Sequence, residues 1–258
     1  MALAQEQNLS TYKSTMISMS KGKDIVLDVD SSGSFLVNEI DCGSHLVLNV
    51  KNDVSVRFSV LAKNNIDNAN ITVNLEKNAS FDAYFADFSQ DKGKVKVLIN
   101  LNNEGANAIW HLASLSANSD NKEFEVSIFH NAPRTFGRSD NFGVCKDDAK
   151  LIFSGVSKIF NGNKKSKTNQ NAKIMVFDKA SNAVAKPILQ IDENDIEASH
   201  AAIVGKINDE HLFYLTSRGL TDAEAKELIT FGYLKPILNG FDDENIKEEI
   251  TELIEGRM

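Results

Sequence analysis

The chain of 258 residues carries 36 acids against 28 bases, a formal net charge of −8, with 42% apolar and 8% aromatic residues. That is enough apolar side chain to close a core, which excludes a disordered chain, and the acidic balance offers no basic footprint for nucleic acid. The start, MALAQEQNLSTYKS, has no cationic cluster before an apolar run, and nothing approaches the roughly 20 apolar residues that span a bilayer, so a soluble, cytosolic protein is expected.

In chain order, residues 1–20 are polar and lack apolar periodicity, the pattern of a loosely ordered end. From 21 to 205 the ordered segments read as strands. Ile25 to Val29, Val54 to Val60, Ile71 to Leu75, Phe81 to Phe85, Val95 to Leu101, Phe124 to Phe129, Leu151 to Val156 and Ile174 to Phe177 are short, mostly alternating, and rich in β-branched or aromatic residues. The spacers KNNIDNAN, NNEGAN and ANSDNKE are rich in Asn, which tolerates left-handed backbone, but lack the Asn-Gly or Asp-Gly pairs of tight hairpins. A succession of such strands fits a parallel β-helix. No period in the twenties stands out, however, and the pattern alone does not separate a β-helix from a sandwich or barrel.

Residues 206–258 form a small helical domain. Thr221 and Glu224 have the spacing of a capping box, Ala225, Leu228 and Ile229 follow on one face, and Pro236 stops that helix. A second helix opens at Asp242 and Asp243 and carries Ile246, Ile250, Leu253 and Ile254 on one face. It runs into Ile254-Glu255-Gly256-Arg257, which has the look of a protease-recognition scar but continues the amphipathic pattern.

Several groupings have the residue types for chemistry. Asp28, Asp30, Ser32, Gly33 and Glu39 match the spacing of a calcium loop, although the flanks read as strands and not as the helices that motif requires. Asp192, Glu193, Asp195 and Glu197 precede His200 and offer oxygen and nitrogen donors, yet a solvated acidic edge is the commoner meaning of such a run. His45, His111, His130 and His211 are scattered, with no HExxH and no nucleophile elbow. Lys164, Lys165 and Lys167 lack the glycine spacing of a phosphate loop, and Cys42 and Cys145 have no close partner for a metal knot or disulfide framework. The residues themselves assign no catalytic group and no metal site.

The carboxy-terminal part resembles the SufB/SufD family of iron–sulfur cluster assembly (SUF) proteins, and is closer to SufD. The resemblance begins at FGVCKDDAKLIFSGVSKIFNG (Phe142 to Gly162). It continues through Lys167-Thr168-Asn169-Gln170, IMVFDKA and Pro187-Ile188-Leu189-Gln190-Ile191. It ends with Ser199-His200, Gly205, Leu212-Phe213-Tyr214-Leu215 and Ser217-Arg218-Gly219. It implies a mainly β protein, a right-handed parallel β-helix over 21–205 followed by the helical domain of 206–258. It implies as partners a SufC-type ATPase, docked through Phe213, Leu228, Ile229, Phe231, Ile246 and Ile250, and a SufB-type subunit or a second copy in a dimer. No tightly bound cofactor is implied, an iron–sulfur cluster being at most a transient guest. Where the family has further cluster-site residues around the motif histidine, this chain has Ala198 and Ala201, which leaves His200 as the one matching ligand. The chain is also short for the family.

The expected function is therefore a SufD-like, non-catalytic scaffold. A self-assembling homodimeric β-helix scaffold is the alternative, and a β-helical enzyme acting on polysaccharides is a third.

Overall fold

Burial alternates strand after strand, with every second side chain buried, as in the strand Lys150–Ile159. A chain with this period of two covers its apolar faces when it coils and places successive strands on two facing sheets. The computed structural model, which describes residues 14–19 and 24–258, has this architecture. One parallel sheet has the order β1 (Thr15–Met19), β3 (Gly33–Ile40), β5 (Ser55–Ala62), β7 (Ser80–Asp87), β9 (Asn107–Ser116), β11 (Phe136–Cys145), β13 (Lys167–Val176) and β15 (Glu197–Lys206). The facing parallel sheet runs β14 (Asn182–Ile191), β12 (Lys150–Ile159), β10 (Asn121–His130), β8 (Lys92–Leu101), β6 (Ala69–Leu75), β4 (His45–Val50) and β2 (Asp24–Val29). The fold is a parallel β-helix with two strands per turn.

The lumen is packed with aromatic rings at its middle. Phe85 lies between Trp110 and Phe124 at centroid distances of 5.7 and 6.0 Å, and Phe124 meets Phe153 edge-on at 6.0 Å. Corners replace hairpins. Asp53, Asn78, Arg134 and Lys165 take positive φ, and each sends its N–H to a carbonyl of the next coil, Lys77, Glu104, Lys164 and Asp195 respectively. Asn78 also donates from its side chain to Asp53, and in the spacers Asn102 accepts from the Asn131 amide and Asn118 sends its N–H to Asp147, so turn-prone Asn residues serve corner ladders.

β1 lies inside the segment 1–20 that reads as a loose end, because its Ile17 packs against the core and its backbone pairs with β3. Residues 1–13 lie outside the described residues. The calcium-like spacing resolves into strand, turn and strand: Asp28 accepts from the Asn49 amide, Ser32 from the Ser55 N–H and Glu39 from the Ser18 hydroxyl.

After β15 the chain forms α1 (Asp209–Ser217), α2 (Asp222–Leu234), a 3-10 turn (Lys235–Gly240) and α3 (Glu244–Glu255). The last three fold back over the outer face of the eight-stranded sheet. Leu234, Ile237, Phe241, Ile250 and Ile254 join Leu36, Leu61, Ala86, Phe88, Leu115 and Val144 in a second core. Gly240 is required there: a Cβ on it would lie 2.1 Å from the Tyr84 ring. Polar ties fix the edges, including Lys63 to Glu249 at 2.7 Å and Arg57 to Asp242 at 3.3 Å. Arg257 reaches Asp120 and the carbonyls of Phe88 and Ser89, so the scar-like terminus is part of the fold.

The capping box forms as its spacing predicts: Thr221 Oγ1 accepts the Glu224 N–H and the Glu224 carboxylate accepts the Thr221 N–H. Replacing Thr221 by Ala should lower unfolding free energy by about 1 kcal/mol, measured by urea denaturation.

Candidate functional site

The last coil is built differently from the rest. Inner strands are covered on both edges by neighbours, whereas β15 pairs only with β13 and stands at the end of its sheet. Its residues are exposed along nearly the whole strand, with Ile203 and Val204 53% and 45% accessible, and Ile188 of β14, at the end of the other sheet, is exposed as well. An edge strand with free backbone groups and exposed β-branched side chains is a template for pairing with another chain.

His200 lies at the centre of this strand. Its Cα partner is Gln170, a buried lumen residue, so His200 continues the inward-facing row of β13 but emerges at the open end, exposed. The acids before it do not gather around it. Glu193 instead accepts from the backbone N–H groups of Gly162, Asn194 and Asp195, which hold its carboxyl below the usual carboxylate range, and Glu197 pairs with Lys167 at 2.7 Å. That is a structural corner and a solvated edge. Among the described residues no group of three or more His, Cys, Asp or Glu side chains could hold a metal ion, so this chain supplies His200 with no set of further ligands.

Two groupings escape the sequence because only the coil brings them together. On the outer face His111 lies between Asp82 and Asp140, 3.7 and 3.8 Å away, and stacks on Tyr84. Burial pushes the imidazole down and the Asp82 carboxyl up, opposed in each by the charge of the other. Inside, Lys122 is fully buried with Asp87 at 2.8 Å. Register places Tyr84 and Asp140 on either side of His111, while Asp82, opposite Ile109, reaches the imidazole on the diagonal. Cys145 is a buried thiol donating to the Ala149 carbonyl, pushed up to about 11 by burial, the state of an inert side chain.

The expected partner-binding residues divide. Phe213 on α1 is 73% exposed and Leu228 on α2 is exposed, while Ile229 and Phe231 are half-buried. Ile250 is corrected: it is fully buried under α3 against the sheet, and Ile246 packs beside it. The apolar stripe of α3 is real, but its own sheet consumes it. What remains open is a groove of about 350 Å³ between α2 and the end of α3, where Leu220, Leu228 and Phe231 are rimmed by Glu224, Glu227 and Glu255. Helix α1 has no buried residue and is anchored by its Asn208 cap.

With this geometry in place the comparisons with known proteins are informative. Residues 2–233 match the family model described as SUF system FeS cluster assembly, SufBD core domain. The chain belongs to that family. Among curated relatives it is 32% identical over 159 residues to the iron-sulfur cluster assembly protein SufD of Bacillus subtilis, covering 62% of this chain and 36% of that protein. It is 25% identical over 156 residues to Escherichia coli SufD, covering 60% of this chain and 37% of that protein. It is 26% identical over 136 residues to Bacillus subtilis SufB, covering 53% of this chain and 29% of that protein. Within the SufBD family the chain is thus SufD-like. Its matches span little more than a third of the SufD relatives' length.

The SufBD match begins at residue 2, far upstream of Phe142, where the sequence motifs start. It ends at residue 233, ahead of α3. No helix of the described residues is long and apolar enough to cross a membrane.

Proposed function

We propose that this SufD-like chain is a non-catalytic scaffold subunit of a SUF assembly complex. The observation that carries the reading is the uncovered last coil: an edge strand with exposed Ile203 and Val204 and with His200 between them and the acidic corner. In this reading β15 pairs with the matching edge of a SufB-type subunit, and His200 becomes one ligand of a site that the partner completes. An iron–sulfur cluster would be a cargo held there in passing. A neutral imidazole ligates iron through one nitrogen, and a hydrogen bond at the other fixes its orientation.

A SufC-type ATPase docks on the other exposed surface, the side of α1 and α2 that presents Phe213 and Leu228 together with the acid-rimmed groove. Apolar anchors in an acidic rim call for a partner with apolar knobs and Lys or Arg around them. Helix α3 is welded to the sheet by its apolar face and offers the ATPase only its end, where Glu255 joins the rim of the groove.

The test uses the full chain. Phe213→Asp and Leu228→Asp should each weaken capture of a SufC homologue at least about tenfold with unchanged thermal unfolding, a loss of about 1.4 kcal/mol in binding. Equal capture would remove the docking assignment. His200→Ala should lower cluster yield in a reconstituted complex that still assembles, and unchanged yield would return His200 to an interface role. A second reading, the homodimer, is favoured by the same edge, since two copies of β15 related by a two-fold axis would pair with each other. Size-exclusion chromatography of the isolated chain separates the two, a dimer supporting self-pairing and a monomer the heteromer.

A further inference from the structure

Two rungs are missing from the ladder between β10 and β12. Cα pairing runs from Asn121 with Lys150 to Glu125 with Ser154 and resumes at Ile128 with Ser157, which leaves Val126 and Ser127 without register partners on that side. The cause lies at Gly155. A Cβ built there would be 1.8 Å from the Val126 carbonyl oxygen, so that oxygen occupies the place a lumen-facing side chain would take. Only glycine permits this approach.

The displaced carbonyl borders a small interior cavity. Val126, Phe153 and Gly155 line it from one sheet and Ser139, Asn141 and Gln170 from the other, and it leaves about 10 Å³ for the centre of a water-sized molecule. That is close to the least volume that holds one water. Ser139 and Asn141 are 2% and 6% exposed. Asn141 Oδ1 is buried and accepts no hydrogen bond from the protein. Gln170 does not supply one. In the orientation that satisfies its amide, the nitrogen donates to the Ile188 carbonyl and the oxygen accepts from the Ser157 N–H and hydroxyl.

We propose that this cavity is a binding site for a single structural water molecule, which donates to Asn141 Oδ1 and the Val126 carbonyl and accepts from the Ser139 hydroxyl. The lining contains no charged side chain, which selects a neutral ligand over an ion, and three polar partners suffice for a buried water. Ser127 Oγ already accepts the Val156 N–H at the gap, so the water serves the displaced Val126 carbonyl and bridges the two sheets where the lumen changes from aromatic to polar.

The test is a crystal structure of the full chain at a resolution that shows ordered solvent, for the wild type and for Asn141→Leu. The expected result is a solvent peak within hydrogen-bonding distance of Asn141 Oδ1 in the wild type, expelled in Asn141→Leu. An empty cavity, a protein donor on Asn141 Oδ1, or a peak unchanged in Asn141→Leu would each overturn the assignment. Should Asn141→Leu fail to fold, Ser139→Ala serves in its place, with the peak expected to weaken or move away from residue 139.

Discussion

Replacing Lys122 by Met should lower the unfolding free energy by about 3–5 kcal/mol, the cost of breaking a buried ion pair by removing one partner. Lys122 and Asp87 are both fully inaccessible, joined at 2.8 Å. The ammonium also donates to the Leu115 carbonyl at 2.9 Å, and Asp87 accepts from Ser89 and Ser114. Burial pushes Lys122 down from the ordinary lysine range, and the Asp87 carboxylate opposes that, so the ammonium depends on its partner. A methionine fills similar volume and strands the carboxylate in the lumen. The double variant Lys122→Met with Asp87→Asn should recover most of the loss, because the unpaired carboxylate is gone, the amide oxygen keeps an acceptor for Ser89, and the amide nitrogen can donate to the Ser114 hydroxyl. Denaturant unfolding checks both. A single variant within about 1 kcal/mol of wild type would show the pair to be energetically idle.

Acidification should destabilise the protein through His130. Its ring is buried in the lumen, Nδ1 lies 2.7 Å from Thr135 Oγ1, and Nε2 faces the bare backbone of Gly137 without a partner. Burial pushes the imidazole down to about 4 from 6.5. The unfolded chain therefore takes up the proton more readily than the folded one. The resulting destabilisation is absent above about pH 6.5, grows as pH falls, and reaches roughly 3 kcal/mol at about pH 4 and below. In His130→Asn, which keeps a donor near Nδ1 and does not titrate, that component of the pH dependence should vanish. A stability difference between the two chains that stays constant from neutral pH to about pH 4 would refute it.

Strand positions with an alternating apolar face were legible in the sequence, and eight of them fall on strands of the coil. β9 and β11 were not, since NAIWHLASLS and FGRSDNFGVC place Ser, Gly, Asn and Asp where a pattern search wants large apolar residues. Those positions face either a polar stretch of the lumen or the underside of the helices, surroundings that no local window contains. The repeat was hidden for a geometric reason. Contacts between successive coils are separated by 25 residues at Asn78 and Asp53, 27 at Asn107 and Ser80, 29 at Asn118 and Asp147, and 31 at Asp147 and Asp178. Strands lengthen along the axis, so the spacing drifts and no fixed period accumulates. At the site, His200 and the capped helix were readable from motifs, whereas the fate of α3 was not. An amphipathic stripe has the same appearance whether a partner or the chain's own sheet covers it.

By itself the sequence determined the mainly β class, the alternation of strands with turn-prone spacers, the helical ending with its cap, and the SufBD resemblance that implied the β-helix, because period, turn chemistry and motif are local properties. The tertiary structure alone decided that α3 is spent inside the molecule, that Lys122 meets Asp87 and His111 meets Asp82, and that β15 is left uncovered. These depend on which residues a coil of changing length stacks above one another, and on where the stacking stops.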